Sequence, residues 1–208
     1  MTITESSGIQ KQKLLHQKTI KIFGPPGTGK TYTLVERVLK GYLNKGIHPK
    51  DIAFISFTNK AVNTARDRAL NTFSNFSVDD FARFKTLHKY CRQYFEEEAR
   101  NMLQDPRLVY KKESYKKDNL DVFCRKISTY EHYKKESFID FTDMIQRAID
   151  EVNFPPLEVL ILDEAQDFTP LQWSVLYKMA DNVKRIYLAG DDDQGIYRWN
   201  GADPKYFT

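Results

Sequence analysis

Near the start of the chain, Gly24-Pro25-Pro26-Gly27-Thr28-Gly29-Lys30-Thr31 has the spacing G-x-x-x-x-G-K-[ST], a pattern suited to gripping a polyphosphate. The glycines permit a loop whose backbone N–H groups all point inward, and a helix that follows would add the positive end of its dipole. In that setting Lys30 is expected to reach the β- and γ-phosphates, and the Thr31 hydroxyl to ligate Mg²⁺. An ordinary Gly/Pro turn would not need this lysine and this hydroxyl at these two places.

A second group lies far along the chain. Leu160-Ile161-Leu162-Asp163-Glu164-Ala165-Gln166-Asp167 ends an apolar run with two acids, and the carboxyl edge of a parallel sheet is where ligands bind. Asp163 is expected to hold Mg²⁺, directly or through water, and Glu164 to orient and deprotonate an attacking water. Ala189-Gly190-Asp191-Asp192-Asp193-Gln194 closes a later run in the same manner. An amide at Gln194 could touch a γ-phosphate and lose that contact on hydrolysis. Cradle, metal ligand and base are the three groups that ATP hydrolysis needs, and each has a candidate here.

These groups need a scaffold, and the apolar pattern supplies one. Short β-branched runs alternate with helical periodicity, which predicts an α/β fold with a parallel central sheet. Strands are expected at Thr19–Phe23, Ile52–Phe57, Phe81–Thr86, Leu157–Leu162 and Arg185–Ala189. Helices are expected from Lys30 to Lys45, where Leu34, Val38, Leu39 and Tyr42 recur, from Asn59 to Phe73, and from Phe138 to Ile149. Thr169-Pro170 reads as an N-cap and first helical residue, opening a helix through Met179. Between Tyr90 and Ser137 strand signals vanish, and the Lys-, Glu- and Tyr-rich segment is expected to be a helical insertion.

The 208 residues suffice for one substantial core or one domain with a small insert. Mean hydropathy is −0.59, and no stretch approaches the roughly 18–20 apolar residues of a membrane span. Met1 to Thr19 has no apolar signal core, so a cytoplasmic location is expected. Cys91 and Cys124 form no C-x-x-C pair, and the four histidines are scattered, which leaves no zinc-ligand spacing. The net charge is +4. Basic residues exceed acidic ones by five between Phe84 and Lys135, so the positive charge concentrates there.

Taken in order, these segments resemble the N-terminal motor domain of UvrD/Rep-type superfamily 1 helicases, over roughly Ile20 to Ala202. The phosphate loop is similar to their motif I, Ser56-Phe57-Thr58-Asn59-Lys60-Ala61 to motif Ia and Thr86-Leu87-His88-Lys89 to motif Ib. Asp163 to Asp167 is similar to motif II, and Gly190 to Ala202, with Arg198, Trp199 and Asn200, to motif III. Asp140 to Ile145 resembles the segment that re-enters the motor domain after the inserted 1B subdomain. The resemblance implies a RecA-like P-loop NTPase domain at residues 1–89 and 138–208, with a 1B-like insertion at 90–137. It also implies ATP and Mg²⁺ as cofactors and Gln194 as γ-phosphate sensor.

On the same ground, motifs Ia, Ib and III would line a channel for single-stranded DNA, entered from a 3′-tailed duplex and travelled 3′ to 5′. Phe57, Tyr197 and Trp199 would face bases, since stacking is open to any sequence. Thr58, Asn59, Lys60 and His88 would offer donors or charge to phosphates. The chain departs from the family's pattern in places. Tyr32 and Asn200 stand where arginine is usual, and Gln10, Gln12 and Gln17 match poorly to an adenine-reading glutamine. The insertion is short for a 1B subdomain. Motifs IV, V and VI do not follow motif III, so a fragment or split-gene product lacking the second RecA-like half is expected. A nucleotide- or DNA-binding module without activity, and a small-molecule kinase, stand as alternatives; the kinase leaves motifs Ia and III unexplained.

Overall fold

The computed structural model describes residues 18–25, 27–95, 128–133, 135 and 138–191. Five strands form one sheet: β1 (Thr19–Phe23), β2 (Ile52–Ser56), β3 (Phe84–Thr86), β4 (Leu157–Asp163) and β5 (Val183–Gly190). Their order is β1-β5-β4-β2-β3, and every pairing is parallel. The α/β class read from the alternating pattern holds. The apolar run Leu157–Leu162 lies at the centre, as a strand covered on both faces must.

The two faces of β4 show how the core is divided. Val159 and Ile161 point to one side, where Leu34, Val35, Leu39 and Leu43 from the helical stretch after β1 pack beside Val62, Ala65 and Ala69 of the helix Asn59–Thr72. Leu160 and Leu162 point to the other, toward Trp173, Leu176 and Tyr177 of the helix Pro170–Ala180. Burying a Leu or Ile side chain contributes roughly 1.5–3 kcal/mol, so this two-sided layer holds the loops at the strand ends in place.

The helix after the phosphate loop is not uniform. It runs as α1 (Lys30–Thr33), a π-helical stretch Leu34–Leu39, and α2 (Lys40–Asn44). Bonds from i to i+5 wind more widely, which lets Leu34 and Leu39 share the buried side although five residues separate them. Next, α3 spans Asn59–Thr72, with Thr58 Oγ1 accepting from the Ala61 N–H at 3.2 Å. Helix α6, Pro170–Ala180, opens on a reciprocal cap. The Thr169 hydroxyl accepts from the Gln172 N–H at 3.3 Å, and the Gln172 side chain accepts from the Thr169 N–H at 3.0 Å.

Two strands start elsewhere than expected, while the others begin where the pattern placed them. β3 begins at Phe84, because Ser77 and Asp80 form a capping box that turns Val78–Phe81 into a 3₁₀ helix. β5 begins at Val183, where buried Val183 pairs with Leu157 and exposed Lys184 forms an ion pair with Glu158. Exposed Lys184 and Arg185 interrupt the apolar run that would have disclosed this start.

The chain divides into two compact units, Met1–Leu87 with Asn153–Thr208, and His88–Val152. The first holds the whole sheet. In the second, α5 (Phe141–Glu151) opens on a capping box between Asp140 and Asp143. Tyr130 hydrogen-bonds buried Asp140, and the Arg147 guanidinium lies over the Phe95 ring at 4.7 Å. Helix α4 is Leu87–Arg92, and residues 128–133 are helical. Most of the expected insertion lies outside the described residues, as does Cys124. Among the described residues, no helix is long and apolar enough to cross a membrane.

Candidate nucleotide site and neighbouring surfaces

The phosphate loop joins β1 to α1, as its motif requires. Gly27 and Gly29 have φ of +80° and +83°, a region open to glycine at little cost. A Cβ at Gly24 would lie 2.7 Å from Thr28 Oγ1, so a side chain there would force that hydroxyl to shift. The Gly24 N–H donates to the Gly190 carbonyl at 3.3 Å, which ties the loop to the end of β5. Lys30 is buried, and its ammonium donates to the Gly24 and Pro25 carbonyls at 2.6 and 3.2 Å. The lysine is thus folded back onto the loop, holding a positive charge at its mouth. Pro26 lies outside the described residues.

β5 separates β1 from β4, yet the phosphate loop and the acidic end of β4 meet directly. The Thr31 hydroxyl donates to Asp163 Oδ2 at 2.8 Å, and the Glu164 N–H donates to Oδ1 at 3.2 Å. Asp163 is fully buried, and both of these donors are neutral. A carboxylate beside a hydroxyl is an oxygen donor set that fits Mg²⁺, which keeps several waters and uses few protein ligands. Among the described residues, no group of three or more His, Cys, Asp or Glu is set to hold a metal. A cation here would therefore rest on Thr31, Asp163 and the nucleotide.

Burial pushes the Asp163 carboxyl up to about 6, with the Glu164 charge adding to it. The Thr31 hydroxyl, the Glu164 N–H and the more distant Lys30 charge pull the other way. Burial, then Glu164, pushes Asp167 up to about 7. An acid raised in the folded state keeps a proton that the unfolded chain releases from about pH 4 upward. Folding stability from these groups therefore falls as pH rises through that window, and the loss is complete above the folded values. Replacing Asp163 by Asn should stabilise the nucleotide-free domain near pH 7.5 by on the order of 2–3 kcal/mol. It should also flatten the acidic part of the profile. Thermal unfolding across pH checks this, and a lower Tm for Asp163→Asn near neutrality would contradict it.

Glu164 follows with φ 54° and ψ 48°, the one non-glycine residue with positive φ among those described. Such a conformation costs roughly 1–3 kcal/mol and persists only where its surroundings impose it. Gln166 anchors the Glu164 side chain in this arrangement. Its side-chain oxygen accepts from the Asp191 N–H at 3.1 Å, which leaves its amide nitrogen to donate to Glu164 Oε2 at 2.9 Å. This buried amide spans the ends of β4 and β5, a function the sequence reading did not assign to it. Its only sequence signal was its place within the Asp163–Asp167 string.

The expected strand-binding residues fall into three groups. Phe57 is half-buried at the end of β2, edge-on to Phe168 with ring centroids 6.5 Å apart. Thr58 caps α3, and Asn59 and Lys60 are exposed in its first turn. His88 lies in the second unit, edge-on to Phe141 at 5.2 Å. Burial lowers its pKa. Gln194, Tyr197 and Trp199 lie outside the described residues.

The AAA domain family matches residues 8–200, and the chain belongs to that family. Among curated proteins it is similar to ATP-dependent DNA helicase PcrA of Leuconostoc citreum, with 25% identity over 88% of this chain and 32% of the relative. It is also similar to ATP-dependent DNA helicase Rep of Buchnera aphidicola subsp. Schizaphis graminum, at 25% over 88% of this chain and 36% of the relative. A probable DNA helicase II homolog of Mycoplasma capricolum matches at 22%, over 89% and 34%. The helicase resemblance read from the motifs is borne out. The chain spans about a third of the length of these relatives.

Proposed function

We propose that this chain is the ATP-binding motor domain of a 3′–5′ superfamily 1 DNA helicase or translocase, converting ATP hydrolysis into movement on single-stranded DNA. The observation that carries the reading is the 2.8 Å bond from Thr31 to Asp163, which brings the phosphate loop and the acidic strand end into one site. In the proposed reaction Lys30 neutralises the β- and γ-phosphates, and Thr31 and Asp163 would hold Mg²⁺. Mg²⁺ would supply charge neutralisation on the phosphate oxygens. Glu164 takes a proton from the water that attacks the γ-phosphorus as the bond to the β–γ bridging oxygen breaks and ADP leaves, and Gln194 reports the γ-phosphate. Residues Gly24 to Thr31, including Pro26, form the phosphate cradle.

Residues 1–89 and 138–208 would form the RecA-like domain, and 90–137 the 1B-like insertion. A second RecA-like half carrying motifs IV to VI, in cis or in trans, would complete the machine in the cytoplasm. Single-stranded DNA would run over Phe57, Tyr197 and Trp199, with Thr58, Asn59, Lys60 and His88 toward its phosphates.

The test is DNA binding and DNA-stimulated ATPase. Affinity for single-stranded DNA should show little sequence preference and fall steeply with salt, as phosphate contacts require. Phe57→Ala should weaken it by about 1–3 kcal/mol, roughly 5- to 150-fold. An affinity indifferent to salt and to Phe57→Ala would overturn the strand-binding role.

A further inference from the structure

Helix α6 does not close completely onto the sheet. Between them lies a half-enclosed notch of about 40 Å³, walled by Leu160 and Leu162 of β4, Ile186 and Leu188 of β5, and Trp173 and Leu176 of α6. All six are buried. Gaps in a core tend to collapse, because empty room forfeits packing contacts. Here the helix is fastened in place. The Lys18 ammonium, just before β1, donates to the Ala180 and Val183 carbonyls at 3.0 and 3.1 Å. Asn182, past the end of α6, donates from its side chain to the Phe154 carbonyl at 3.0 Å. The notch is therefore preformed.

Trp173 supplies a second observation. It is 2% exposed, and its indole N–H has no hydrogen-bond partner. A buried indole N–H ordinarily finds an acceptor, and leaving it without one is costly. Besides this indole, the walls carry polar side-chain atoms only at Thr19 and Tyr177, and none of them is charged.

We propose that the notch binds a small neutral molecule, an apolar ring carrying one oxygen that accepts from the Trp173 N–H. The walls set this class. Hydrocarbon surfaces favour a ring, and an ion would lose its hydration with no opposite charge to offset the loss. The idle donor calls for a carbonyl or ether oxygen. A cavity of about 150 Å³ holds a whole benzene, so this smaller notch takes one edge of a ring and leaves the rest at its open side. It lies on the sheet face opposite the helix that follows the phosphate loop, so its ligand and a nucleotide can be bound together.

Cyclopentanone and its acceptor-free analogue methylenecyclopentane test this by ¹H–¹⁵N NMR on the 208-residue protein. The Trp173 indole signal is identified as the one that Trp173→Phe removes. Cyclopentanone should shift it downfield and saturably; methylenecyclopentane should bind without that shift. Trp173→Phe keeps an aromatic wall and deletes the donor. Followed through amide signals of β5, it should bind cyclopentanone about 2- to 13-fold more weakly and methylenecyclopentane as wild type does. Ala180→Val, which narrows the notch, should weaken both, with circular dichroism checking its fold. Excess Mg²⁺-ATP should change neither affinity. A Trp173 signal that cyclopentanone leaves unmoved, undiminished ketone affinity in Trp173→Phe, or displacement by Mg²⁺-ATP overturns the site.

Discussion

Glu164→Gln should leave nucleotide affinity intact and cut ATP hydrolysis by about 10²- to 10⁴-fold, the usual contribution of a positioned general base. The substitution keeps the size of the side chain and its ability to accept from Gln166, and removes the capacity to take a proton. It also removes the negative charge that helps raise Asp163 and Asp167, so affinity for Mg²⁺-nucleotide should hold. Steady-state phosphate release beside equilibrium binding separates the two effects. Hydrolysis undiminished in Glu164→Gln would remove this residue from the reaction.

The second large effect is expected at Lys30. Hydrogen bonds to a charged group contribute about 1.5–3 kcal/mol each, and a lysine between two phosphates makes two of them. Against this stand the bonds to the Gly24 and Pro25 carbonyls, which the ammonium must surrender or share when a phosphate arrives. The net loss in Lys30→Ala is therefore placed near the lower bound, about 10²-fold in ATP affinity. Calorimetry with a slowly hydrolysed ATP analogue measures it, and equal affinities for both proteins would contradict the assignment.

The parts of this fold that could be read from sequence were those fixed by neighbours along the chain. Thr19–Phe23 and Leu157–Asp163 are apolar runs stopped by glycine or acid, and they became strands within a residue of the expected ends. Thr169-Pro170 disclosed its helix because an N-cap is a local hydrogen bond. The phosphate loop was legible for the same reason, since its spacing is set by local backbone geometry. What escaped depends on partners distant in sequence. Nothing near Gln166 announces Asp191. The left-handed turn at Glu164 escaped as well, since glutamate carries no bias toward it. The late start of β3 could have been read, because Ser77-x-x-Asp80 is a capping sequence.

The turn at Glu164 sets two kinds of selection against each other in this domain. Glycine at 164 would relax the left-handed backbone by about 1 kcal/mol, and asparagine at 163 would relieve a buried charge. Both changes delete groups assigned here to the chemistry. A library of variants sorted for heat resistance alone would thus collect substitutions at the very strand end where an activity screen forbids them. Purifying selection at 163 and 164 would then be visible as two positions where the most stable residue is persistently rejected. Breeding a hardier domain from this sequence must look instead to positions away from the end of β4.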